Sequence, residues 1–323
     1  GVLDVSPDGT FTSSSTASGS TLVVQDGALF EAGSQPTILT SLNVQLGGEV
    51  RPTAVLTPDG DDVSWGLPDF AAAEEMDRHR GFWWSPDGGA LLVARVDESP
   101  VARWHIADPA HPDRVPTTVR YPAAGTPNAR VGLVVVALDG SRTPVTWDDE
   151  TYEYLATAGW DAHGPLLSVQ PRDQREVRTL AVDPATGRTT TLHSQTDPVW
   201  VENVPGVPAR TASGALVRAE DSGGARRLVV GDAYLTGPEL QVRGVVGIDG
   251  ETVLFRASTE PTSVAVWSVT PGSEPVAVTP TTGVHAVAAA GGTTVRVSQD
   301  LATAPHAVLV TAAGAEHPVA GHA

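Results

Sequence analysis

The chain has 323 residues, a formal net charge of −18 and no cysteine. All 20 basic residues are arginine and none form a patch, which excludes the electrostatic footprint of a nucleic-acid binder. The missing cysteine excludes disulfides, thiolate metal sites and a cysteine nucleophile. No apolar run approaches the roughly 18 residues of a membrane span, and Gly1-Val2-Leu3-Asp4 lacks the regions of a signal peptide. Neither membrane nor nucleic acid is expected as a partner, and a cytoplasmic location is expected.

In chain order the first signal is a turn, Ser6-Pro7-Asp8-Gly9, with near-copies at Thr57-Pro58-Asp59-Gly60 and Ser85-Pro86-Asp87-Gly88. Pro presets φ, Asp bonds the local backbone and Gly takes the positive φ. Residues 69–79 carry the sole convincing helix pattern: Asp69 can cap it, and Ala71-Ala72-Ala73 favour propagation. Strand-length runs follow at Gly132–Leu138, Thr179–Val182, Arg227–Val230, Glu251–Phe255 and Thr293–Val297, with turn residues such as Asp183–Gly187 and Asp249-Gly250 between them. Residues 305–323 suit either a closing strand or a linker.

Short strands with hairpin signals at this density predict an all-β chain, a β-propeller of four-stranded blades with one short helical insertion near 69–79. At about 40–50 residues per blade the chain holds about six to seven blades. On pattern alone a pair of β-sandwiches or a β-solenoid stays open. The length exceeds one ordinary core, but a repeat architecture makes residues 1–323 one domain.

The insertion holds the candidate site, since functional groups concentrate on insertions in a rigid scaffold. Glu74 and Glu75 are adjacent carboxylates that could hold a primary ammonium group if they converge at a helix end; each would contribute about 4 kcal/mol at about 4 Å and an effective dielectric near 20. The bland alternative is a solvated helix face, with Glu74 four residues before Arg78 as a weak surface pair. Trp83 and Trp84 should face opposite sides of a strand, one into a blade core and one into an inter-blade contact. His79, His105, His111 and His163 are scattered and suggest no metal site, and Asp148-Asp149-Glu150 lacks calcium-loop spacing. No Gly-x-Ser-x-Gly elbow or phosphate loop occurs, so no catalytic residue and no cofactor are expected.

Trp65–Phe70, Glu74–Arg78 and Gly81-Phe82-Trp83-Trp84-Ser85-Pro86-Asp87-Gly88 resemble the glutamate-motif segment of the dipeptidyl peptidase IV family, bacterial type, in the prolyl oligopeptidase clan. The likeness continues through Val96–Val101, Arg120–Gly125, Asn128 and Gly159-Trp160-Asp161. The resemblance implies a propeller, eight-bladed in the family, that caps an α/β-hydrolase domain. It implies that Glu74 and Glu75 bind the free α-amine of a peptide substrate, with Arg78 supporting them. Two departures stand out. Only Arg51 precedes the motif, too close to serve as the family's upstream substrate arginine. Trp200–Pro205 offers Val204 and no arginine where a further substrate contact is expected.

The chain therefore reads as the substrate-gating, amine-binding propeller of a dipeptidyl-peptidase-like serine peptidase, lacking its first blade or blades and the C-terminal hydrolase domain. Its expected partners are that hydrolase domain in cis and peptides with a free N-terminus. An open edge strand would favour association of copies, as in a homodimer. Two rivals remain: a non-catalytic propeller serving as a protein-interaction or ligand-binding module, and a stand-alone propeller enzyme, which would need a convergent metal site or carboxylate pair.

Overall fold

Apolar runs bounded by Pro, Asp and Gly fold as short hairpin-linked strands in the computed structural model, which describes residues 56, 59–290, 293–311 and 313–319. The turn at Ser6–Gly9 and Arg51 lie outside the described residues. The first group of elements is β1 (Val63–Trp65), α1 (Phe70–Glu75), β2 (Phe82–Trp84), β3 (Ala90–Asp97), β4 (Arg103–Ile106), β5 (Thr117–Arg120), β6 (Arg130–Ala137) and β7 (Arg142–Val145). β3 is central: β1 and β2 pair with it, β6 lies antiparallel beside it and β7 beyond β6, while β4 and β5 form a separate ribbon.

Four four-stranded sheets follow, each with strands in sequential order. They are β8 (Tyr154–Asp161), β9 (Gly164–Gln170), β10 (Glu176–Val182) and β11 (Thr189–Thr196); β12 (Ala209–Arg210), β13 (Leu216–Ser222), β14 (Ala225–Val230) and β15 (Ala233–Tyr234); β16 (Gln241–Asp249), β17 (Thr252–Ser258), β18 (Ala265–Val269) and β19 (Val276–Ala277); and β20 (Val284–Ala290), β21 (Thr293–Gln299), β22 (His306–Val310) and β23 (Glu316–Val319). The described residues are built of blade-type sheets of the all-β propeller class, with one short helix among them. The described residues hold five such sheets, against about six to seven expected over the whole chain. Of the two alternatives for residues 305–323, the strand holds, in β22 and β23.

The turn at Ser85–Gly88 shows the local chemistry. Ser85 Oγ donates to Asp87 Oδ1 at 2.6 Å and accepts from Ala90 N at 2.9 Å, the Gly88 amide donates to Ser85 O at 2.9 Å, and Gly88 has φ +70°. These bonds set the β2–β3 register, Phe82 opposite Val93. Asp148–Glu150 form a solvated turn, with Thr151 N and Tyr152 N donating to Asp148.

Contacts divide the described residues into two compact units: those up to 160 with 169–173 and 180–192 in one, and 161–168, 174–179 and those from 193 onward in the other. In the first, Leu56, Trp65, Leu91, Val93 and Val136 form a core against which Phe82 and Val134 pack. In the second, Phe255 sits among Val217, Leu228, Val242, Val253, Ala257 and Val269. Along β17 the buried apolar residues alternate as Val253, Phe255 and Ala257, the period-two pattern of a strand.

Two sequence expectations are corrected. The helix stops at Glu75 rather than His79, because Asp77 takes a left-handed φ of +52° and turns the chain away. Neither tryptophan of β2 fills the core: Trp84 is 44% exposed and Phe82 takes the core side, packed on Val93's cluster.

Candidate functional site

Helix α1 has six residues, too few to hold itself by propensity alone. Asp69 starts it: its Oδ2 accepts from Ala72 N at 3.2 Å, and its backbone carbonyl accepts from Ala73 N at 3.1 Å. At the other end the Ala72 carbonyl accepts from both Met76 N (3.2 Å) and Arg78 N (3.0 Å). Ala72 and Met76 are buried, which seats one face of the helix. Glu74 and Glu75 occupy the last two positions of α1 and are exposed. Neither makes an ion pair among the described residues.

Arg78 is 5% exposed at its side chain and does not pair with Glu74. Its Nη2 donates to Asp69 Oδ1 at 2.6 Å, its Nε to Leu155 O of β8 at 3.0 Å and its Nη1 to Arg80 O at 3.1 Å. Burial pushes the guanidinium below its ordinary value, opposed by Asp69. Sequence reasoning assigned Asp69 to the cap and missed its second oxygen; a buried counter-charge nine residues upstream leaves no local pattern.

A cavity of about 220 Å³ opens at the C-terminal end of α1, lined by Met76, Asp77, Arg78, His79, Arg80, Trp83 and residues 156–158. His79 Nε2 lies 3.0 Å from Asp77 Oδ1, both exposed. The other expected histidines stay apart: His105 bonds Thr118, His111 bonds Asp108 and His163 bonds the Ala212 carbonyl. Among the described residues no group of three or more His, Asp or Glu could hold a metal ion. No helix there is long and apolar enough to cross a membrane. Trp200 is 57% exposed, and Val204 is buried at 6%.

Blade-type four-stranded sheets with one short helix among the described residues define a domain of the β-propeller class. The family described as the Dipeptidyl peptidase IV (DPP IV) N-terminal region matches residues 43–303, and the chain belongs to it. Human dipeptidyl peptidase 8 is 32% identical over 148 residues, covering 38% of this chain and 16% of that protein. A protein of Emericella nidulans named probable dipeptidyl peptidase 4 is 27% identical over 234 residues, 62% of this chain and 30% of its own length. The crystal structure of Porphyromonas gingivalis dipeptidyl peptidase 4 superposes with a TM-score of 0.69 at 20% identity, covering 80% of this chain and 39% of that one. The chain thus matches well under half the length of each of these relatives.

Proposed function

We propose that this chain gates substrate entry and binds the N-terminal amine of peptides for a dipeptidyl-peptidase-type serine peptidase. Glu74 and Glu75 hold the ammonium group, and acyl transfer to serine and then to water takes place on an α/β-hydrolase domain of the same polypeptide. Held there, the amine sets the scissile bond two residues in from the N-terminus.

One observation carries the reading. Two adjacent carboxylates stand exposed on the last turn of a short helix with no basic residue in that turn. The helix dipole disfavours negative charge there by about 0.3–1 kcal/mol per group, and no ion pair among the described residues offsets it. A local rule broken without compensation is the mark of a functional position. Membership of the family supports the same reading.

The test is charge removal without change of shape. In the full-length enzyme, Glu74→Gln or Glu75→Gln lowers kcat/KM for a free-amine substrate on the order of 100-fold, as expected for unpairing a desolvated charge. Both positions are exposed, so the melting temperature holds. Undiminished cleavage by both variants sinks the reading.

A further inference from the structure

We infer that Asp69 is a positioning residue for the glutamate pair: its one carboxylate caps the start of α1 and, through Arg78, ties the end of α1 to β8. The inference rests on the amine-binding reading above. Oδ2 accepts from Ala72 N at the helix start, while Oδ1 takes Arg78 Nη2 at 2.6 Å. Arg78 in turn grips the Leu155 carbonyl and, through its own amide, the Ala72 carbonyl. Glu74 and Glu75 lie between these two anchors.

The geometry makes this more than a cap. Side-chain exposures of 5% for Arg78 and 9% for Asp69 remove the pair from water, where charge-assisted bonds are strong and directional. Arg78 uses three separate nitrogens on three partners, Leu155 O, Arg80 O and Asp69 Oδ1. A lysine ammonium cannot reproduce that fork. Ala72, at 1% exposure, is the hub: its amide meets Asp69, and its carbonyl meets Met76 and Arg78. A helix too short to persist alone is held at both ends, which fixes where its two exposed carboxylates point. Such pre-organisation is what selective capture of an ammonium group requires.

The experiment uses this chain with two probes, the tripeptide Ala-Pro-Ala and its N-acetylated form. Calorimetry reads the ratio of their affinities, and hydrogen exchange reads the amides of residues 70–78. Asp69→Asn keeps a capping acceptor but removes the counter-charge. The double variant Asp69→Ser with Arg78→Met keeps a cap and removes both charges, so no orphan charge is buried even if Asp69→Asn fails to fold. Expected results are at least a tenfold fall in the free-amine preference in the double variant, with faster exchange at Met76 and Arg78 and unchanged exchange in β3. Arg78→Lys, which keeps the charge without the fork, restores part of the preference. A merely structural role would weaken both probes alike, and that result overturns the inference. A double variant with wild-type preference and wild-type exchange also overturns it. If instead the wild-type chain shows no preference and Glu74→Gln changes nothing, the amine-binding reading itself has failed, and the inference falls with it.

Discussion

Glu74 and Glu75 sit where helix electrostatics least favours them, and the residues around them do the stabilising. Asp69 and Arg78 neutralise each other within 2.6 Å, and among the described residues no ion pair offsets the charge of the two glutamates in that turn. The same single-residue logic fixes other positions. Gly187 has φ +70°, and a Cβ built there would stand 1.9 Å from the Pro144 carbonyl oxygen. Gly187→Ala therefore combines left-handed strain with a backbone clash, and should cost about 1–3 kcal/mol. A denaturant melt checks this: an unchanged midpoint would mean that the β10–β11 turn relaxes freely. Much of this scale is legible in the sequence, because Pro, Asp and Gly act through their own backbone. Arg78 is the exception. Its spacing points to Glu74, but the left-handed Asp77 intervenes and delivers the guanidinium to Asp69 and Leu155. Contacts that depend on where a distant strand passes have no local signal.

At the scale of elements, strands announce themselves where one face is buried. The five runs predicted as strands lie in or overlap β6, β10, β14, β17 and β21; the first four bury branched residues, whereas β21 leaves Val295 and Val297 exposed and buries Ser298. The β4–β5 ribbon was not foreseen, since every residue of β4 is exposed and its pattern has no apolar face to read. Polar links between strands give a pH dependence. His193 of β11 has Nε2 3.0 Å from Glu220 Oε1 of β13, without hydrogen-bond alignment. Burial, aided by the Arg218 charge, pushes this imidazole below its ordinary value of 6.5 against the pull of Glu220. Burial alone would raise Glu220, but hydrogen bonds from Arg218 and Tyr234 hold it below its ordinary value. Both groups thus bind fewer protons when folded. The His193 share of stability is present above its unfolded value and is lost as pH falls through about 6.5 toward the lower folded value; the Glu220 share is lost further down, below about 4.5. The melting temperature should fall between about pH 7.5 and about pH 5.5, and His193→Gln should flatten that segment. Parallel curves for variant and wild type would show that His193 does not drive it.

At the scale of the whole molecule, the propeller class is legible because the same strand-and-turn unit recurs, whereas the division into two compact units follows contacts between residues far apart in sequence. Net charge acts at this scale too. The chain carries 38 acidic and 20 basic residues, so 18 carboxylates have no basic counterpart in number. Their mutual repulsion acts against the folded state. Salt should relieve it, since the screening length drops from about 30 Å at 0.01 M to about 8 Å at 0.15 M. The opposing effect is the weakening of exposed ion pairs such as Arg95–Asp59 and Arg103–Asp62, each worth about 0–1 kcal/mol. The buried Asp69–Arg78 pair is screened much less. Repulsion among the unmatched acids should therefore win, and the melting temperature should rise by a few degrees when sodium chloride is taken from about 0.01 M to about 0.15 M at neutral pH. Scanning fluorimetry on the eight tryptophans reads this directly. A fall in melting temperature would instead assign the balance to the exposed arginine pairs, and Arg103→Gln would then remove part of the salt response.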